Sequence, residues 1–272
     1  MLRNDNALLI LPAISGVVTV SLGAGFVALA VSDGTFAAMR ENAAQHGVHH
    51  ATAGFYAWLF CWYVVQYFVV FFFNTALVGA AIVLLGGGRP TVGDALKLAL
   101  ARVGAILGYA IISATVGVLL QALAERLGLI GRLIEGALGL AWTAATFLVV
   151  PVLAAEGVGP WEAIERSTTL LRKTWGENLI GNAGISFVMS MISGAVSVVG
   201  FGGGMLLFKG GHSVLGAALL AAAVTTILLV VLVAAALSGI YAAAVYYYAV
   251  LGRPPADFDG DLIRGAFARK DA

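Results

Sequence analysis

Charge is what this sequence has least of. Only 11% of its 272 residues are Asp, Glu, Lys or Arg, while 61% are hydrophobic. A soluble domain carries about 25% charged residues and about 45–50% apolar ones. No water-soluble fold of this length could hide so much apolar surface, so lipid must be the solvent for much of the chain. Cysteine is nearly absent too: Cys61 stands alone, which excludes any disulfide within the chain. An excess of base is missing, since the net charge is +1, and that excludes a nucleic-acid partner. The sequence also lacks G-x-S-x-G, H-E-x-x-H and P-loop motifs.

What is present is a series of long apolar runs, with a mean hydropathy of +0.97. They predict an all-α, polytopic membrane helix bundle with about six transmembrane helices in a single integral membrane domain, 1–272. The spans fall at 7–31, 55–85, 103–123, 133–155, 178–201 and 214–251. The first has the charge pattern of a signal peptide. Its apolar region exceeds the usual h-region of about 7–15 residues, so a retained helix is expected. The second and sixth are longer than a bilayer needs and must tilt, bend or project. A short hairpin, Ala124 to Arg132, joins the third and fourth. A glycine-rich connection beginning near Gly200 joins the fifth and sixth, and Ser238–Gly239 is a candidate kink.

Between spans lie two stretches of different character. Pro160 to Glu177 reads PWEAIERSTTLLRKTWGE. Trp161, Ile164, Thr168, Leu171 and Trp175 recur at spacings of three and four, which places them on one helical face. Arg166, Arg172 and Lys173 fall on the other side. The pattern predicts an interfacial helix over 160–176, with Trp and Leu in the lipid boundary and charges among headgroups. A second interfacial helix is expected over 91–102, opened by a Thr91–Asp94 capping box. Membrane lipids with anionic headgroups are the expected partners.

Of the 15 Lys and Arg residues, only Arg40, Arg126, Arg132 and Lys209 fall outside if the N-terminus is inside. The positive-inside rule then places both termini, and both interfacial helices, on the cytoplasmic face of the inner membrane. Pro90 and Pro160 open their helices about 70 residues apart, and Arg102 aligns with Arg172, the mark of a tandem repeat. A third copy would begin at Pro254–Pro255.

The segments EGVGPWEAIERSTTLLRKTWGENLIGN, GGRPTVGDALKLALAR and YAVLGRPPADFDGDLIRGAF resemble an uncharacterised six-helix bacterial integral membrane family, a domain of unknown function. More remotely they are similar to the membrane domain of glycerophosphodiester phosphodiesterases. The resemblance implies membrane location and helical repeats, and no reaction.

No acid or base lies near the middle of a span, which argues against proton relay or voltage sensing. Asn74 is the best polar candidate deep in a span. It either lines a pathway or hydrogen-bonds a neighbouring helix, and the second is favoured. Asn178, Asn182, Ser186, Ser190, Ser193 and Ser197 run down one face of the fifth span. They form a packing seam or, in a homo-oligomer, a pore lining. Glu156 is expected to pair with Arg166 or Arg172. His46, His49 and His50 have no acid or cysteine partner at ligand spacing, and the acidic run Asp257 to Asp261 lacks a glutamate at the twelfth position of a calcium loop. No metal, cofactor or catalytic residue is expected. The expected function is a non-enzymatic, lipid-interacting scaffold or auxiliary subunit, with an oligomeric channel or permease as the alternative.

Overall fold

The computed structural model describes residues 7–32, 34, 41, 53–173 and 178–251. Every regular element among the described residues is helical. Six helices are long and apolar enough to cross a bilayer: Ile10–Ser32, Tyr56–Leu85, Val103–Gly128, Ile130–Glu156, Ser186–Lys209 and Ser213–Leu251. The chain is a membrane protein of the predicted all-α class.

Helix α1 spans Ala7–Ser32 and α2 spans Ala53–Leu85. Glycine ends α2 for a specific reason. Gly87 adopts a left-handed φ of 86°, open to a residue without Cβ. Gly87 N–H then bonds Leu84 O at 3.0 Å and Gly88 N–H bonds Val83 O at 2.9 Å, a Schellman closure. The short helix α3, Val92–Ala101, follows at once. Thr91 Oγ1 accepts from Asp94 N–H at 3.1 Å, and Thr91 N–H donates to Asp94 Oδ2 at 3.1 Å. This is the predicted capping box.

The Thr91 hydroxyl, and after it the Thr91 backbone N–H, hold the Asp94 carboxyl below its ordinary value of 3.8. A lowered folded-state pKa means the cap is fully present above 3.8 and is lost as pH falls through the lower value. The first turn of α3, followed by NMR chemical shifts, is therefore expected to stay helical through pH 3.8 and to fray only beneath it. In Asp94→Asn that transition disappears; a wild-type transition above 3.8 would contradict the assignment.

Helix α4, Val103–Thr146, is two arms folded at Gly128, whose φ of 58° and ψ of −128° are non-helical. The arms run antiparallel, because Gly117 and Gly139, on either side of the bend, line one cleft. The expected hairpin is thus compressed to a turn around one glycine. Helix α5, Val149–Glu156, continues the second arm after a break at Phe147–Leu148. Pro151 lies in its first turn, where its missing N–H costs least. Gly157, at φ 68°, caps it. Helix α6, Pro160–Lys173, starts with proline at its first position, and Gly159 O accepts from Ala163 N–H at 2.9 Å.

The fifth span is α7, Asn178–Ser197, then one π-helical turn, Val198–Gly202, then α8, Gly203–Lys209. Here the structure corrects the expected end at Phe201. Most of the supposed glycine connection is helix, and the turn is confined to Gly210–His212. The glycines serve as contacts. A Cβ on Gly200 would overlap Ala223, one on Gly204 would meet Leu220 and one on Gly216 would meet Phe208. Close approach of backbones holds apolar helices together in lipid, where the hydrophobic effect between them is weak. Helix α9, Ser213–Leu251, runs through Ser238–Gly239 without a break, so the glycine does not interrupt the helix there. Gly239 instead admits Leu77 of α2.

The core sits at one end of the bundle. Residues 75–81 of α2 are buried without interruption. Around them pack Leu11, Ala99, Ile106, Ala154 and Ala243, and beside them Tyr109, Leu148, Leu153, Leu170 and Tyr246. This is the α6 end. Toward the Gly128 end large apolar side chains turn outward, among them Val17, Leu29, Leu119, Leu133, Val198 and Leu215. That apolar surface suits hydrocarbon, not water.

Candidate functional site

Two polar assemblies stand at opposite ends of the molecule. The first joins α5, α6 and α9. Glu156 Oε1 accepts from Arg166 Nε at 3.2 Å and from the Tyr246 hydroxyl at 3.0 Å. The first contact is one of the two pairings expected of Glu156; the second was not legible, because Tyr246 lies 90 residues away. Gly157 lets the Arg102 guanidinium lie against the backbone, and Gly108 lets Pro160 press onto α4. Gly108 thus makes a close contact that Gly104, one turn before it, does not. A Cβ on Gly104 would meet nothing within 4 Å.

Ser167 is the pin of this assembly. It is fully buried, accepts from Leu148 N–H at 3.1 Å and donates to Ala145 O at 2.7 Å. The break between α4 and α5 frees exactly those kinds of backbone group, and a buried one without a partner is costly. One hydroxyl serves both and fixes α6 across the break.

The face of α6 turned into the protein is therefore Ala163, Ser167, Leu170 and Leu171. This corrects the reading of the apolar stripe. Leu171, expected in lipid, is 4% exposed, and Ile164 packs half-buried against the second core cluster. The physical reason is size: Ala163 and Ser167 permit a closer helix contact than Trp161 would. Trp161 is 70% exposed and Arg172 is exposed on the outer side. Lys173 belongs to α6 by its backbone; its side chain and Trp175 lie outside the described residues, as do the three histidines, the acidic run and the third proline pair.

Asn74 is half-buried beside Gly239, so it faces α9 at a helix contact. Ser186 and Ser190 are exposed on the outer surface of the chain and Ser193 is half-buried. Asn178 and Asn182 lie on the same helix, with side chains outside the described ones.

The second assembly is at the Gly128 end and sequence reasoning missed it. The Tyr56 hydroxyl donates to Glu125 Oε2 at 2.6 Å, Gln121 Nε2 donates to Glu125 Oε1 at 3.2 Å, and the Tyr63 hydroxyl donates to Gln121 Oε1 at 3.4 Å. This chain ties α2 to the first arm of α4. Beside it opens a cleft of about 420 Å³, lined by Tyr63, Tyr67, Gln121, Arg132 and Glu135 together with glycines of both arms. The only signal in the sequence was four-residue spacing of Gln121 and Glu125 near a span end.

Comparison with curated proteins and with solved structures finds no match. The remoter resemblance to the glycerophosphodiester phosphodiesterase membrane domain gains no support. A family model matches residues 53–256, which takes in the second to sixth spans and both assemblies. The chain belongs to the family of unknown function DUF6159.

Proposed function

We propose that the protein is a non-enzymatic, lipid-interacting module of the cytoplasmic membrane, with α6 engaging anionic headgroups of the inner leaflet. One observation carries this reading. α6 is pinned to the bundle by Ser167 and Arg166, yet leaves Trp161 and Arg172 exposed on its outer side. Trp at the headgroup level and cations toward anionic lipid are the marks of an interfacial helix. The charge asymmetry of the connectors supports cytoplasmic termini. As a scaffold or auxiliary subunit, the chain would organise lipid or a partner span without chemistry of its own.

The test is reconstitution in nanodiscs with brominated phosphatidylglycerol. Emission that is lost in Trp161→Phe is expected to be quenched by the brominated anionic lipid. Neutralising Arg172 and Lys173 together is expected to weaken that preference by about 2 kcal/mol, at about 1 kcal/mol per basic residue. Arg166 is left intact because it holds Glu156. Equal quenching by brominated phosphatidylcholine would remove the reading.

A second reading, an oligomeric channel, is favoured by the uncovered polar face of α7. Ser186 and Ser190 lie on the outside of the chain, so a pore lined by them would form between copies. A monomer in detergent and in nanodiscs, with no ion flux from proteoliposomes, would dismiss it.

A further inference from the structure

The cleft at the Gly128 end has an amphiphile's layout. At roughly 1.5 Å per helical residue, Arg132 lies about 6 Å from the Gly128 turn and Gly117 and Gly139 about 16 Å. The Arg132 guanidinium therefore stands nearest the mouth, and Gln121 and Glu135 lie about 10 Å from the turn. Beyond them Leu120, the Tyr67 ring and glycine surface continue toward the hydrocarbon, with the Tyr67 hydroxyl beside Gly117. The volume of about 420 Å³ falls within the range of ligand pockets.

Its charges are unspent. Arg132 and Glu135 line the same cleft, and neither takes part in an ion pair among the described residues. The nearby acid, Glu125, is already engaged by Tyr56 and Gln121. A cation and a carboxylate held three residues apart on one helix, unpaired, offer complementary contacts to a ligand bearing both signs. Guanidinium suits a phosphate, and carboxylate suits a primary ammonium.

We propose that this cleft binds a zwitterionic phospholipid whose headgroup carries a phosphate and a primary ammonium group. Arg132 takes the phosphate and Glu135 the ammonium. The upper acyl chain lies over the surface left open by Gly136 and Gly139, where a Cβ would meet nothing within 4 Å. The site is at the opposite end from α6 and stands whether or not α6 engages anionic lipid.

The test is lipid titration of the purified full chain, followed by native mass spectrometry. Phosphatidylethanolamine, phosphatidylglycerol and free phosphoethanolamine are the probes. Wild type is expected to prefer phosphatidylethanolamine to phosphatidylglycerol by roughly tenfold, the worth of one charge-assisted contact. Arg132→Ala is expected to weaken both lipids by roughly tenfold. Glu135→Gln is expected to bring phosphatidylethanolamine down to the phosphatidylglycerol level and leave the latter unchanged. Gly136→Leu and Gly139→Leu fill the cleft without a backbone clash and are expected to abolish the preference at unchanged melting temperature. Equal binding of the two lipids by wild type, or a preference kept in all the variants, overturns the proposal. Free phosphoethanolamine competing as well as the lipid overturns the lipid as its source.

Discussion

Gly200→Ala is expected to loosen the fifth membrane helix from the sixth, although it adds a single methyl group. That methyl would overlap the Cβ of Ala223, and the next nearest atom is the Ala223 Cα. No flexible side chain is available to give way, so the helices themselves must separate. Overpacking of this kind costs about 1–3 kcal/mol, and a contact made by backbone belongs at the upper end. Ala223→Gly alone is expected to cost about 1 kcal/mol through helix propensity. The double variant moves the methyl from one helix to the other and is expected to recover most of the loss. Thermal unfolding of all four proteins in one detergent gives the cycle. Simple additivity of the two losses would show that the seam does not depend on this contact.

Ser167→Ala is the second large effect. It strips the partner from Leu148 N–H and from Ala145 O at a fully buried position. Each orphaned group costs about 1–3 kcal/mol, so a loss of roughly 2–6 kcal/mol is expected for the two. The loss should appear as a lower melting temperature and faster amide exchange at Leu148. Cysteine at the same position keeps a weak donor and acceptor and should fall between serine and alanine. An alanine variant as stable as wild type would mean that water reaches the break between α4 and α5.

Much of the fold was legible, because hydropathy reports where lipid is the solvent. The six apolar runs became six span-length helices. The Thr91–Asp94 cap was also legible, since it rests on local backbone chemistry. Hydropathy fails where the question is which apolar face meets protein and which meets lipid. On α6 the large residue Trp161 drew attention, while Ala163 and Ser167, small enough for contact, marked the buried side. The glycines from Gly200 to Gly204 misled for the same reason. In water they signal a loop; between membrane helices they permit contact, and the helix continues. The cleft and the Tyr56–Glu125 contact join residues far apart in the chain, and no local pattern announces them.

The Tyr246–Glu156 contact has a consequence for biosynthesis. A ribosome releases the chain from its N-terminus, so Glu156 enters the membrane long before Tyr246, 90 residues later. Until the last helix arrives, Val245 and Tyr246 are missing from the second core cluster. Leu148, Leu153 and Leu170 then wait with one wall open. The first five helices leave this cluster incomplete, and the final one supplies its missing wall. A chain arrested before Tyr246 would leave the Glu156 carboxylate without one of its partners and the second core cluster without one wall.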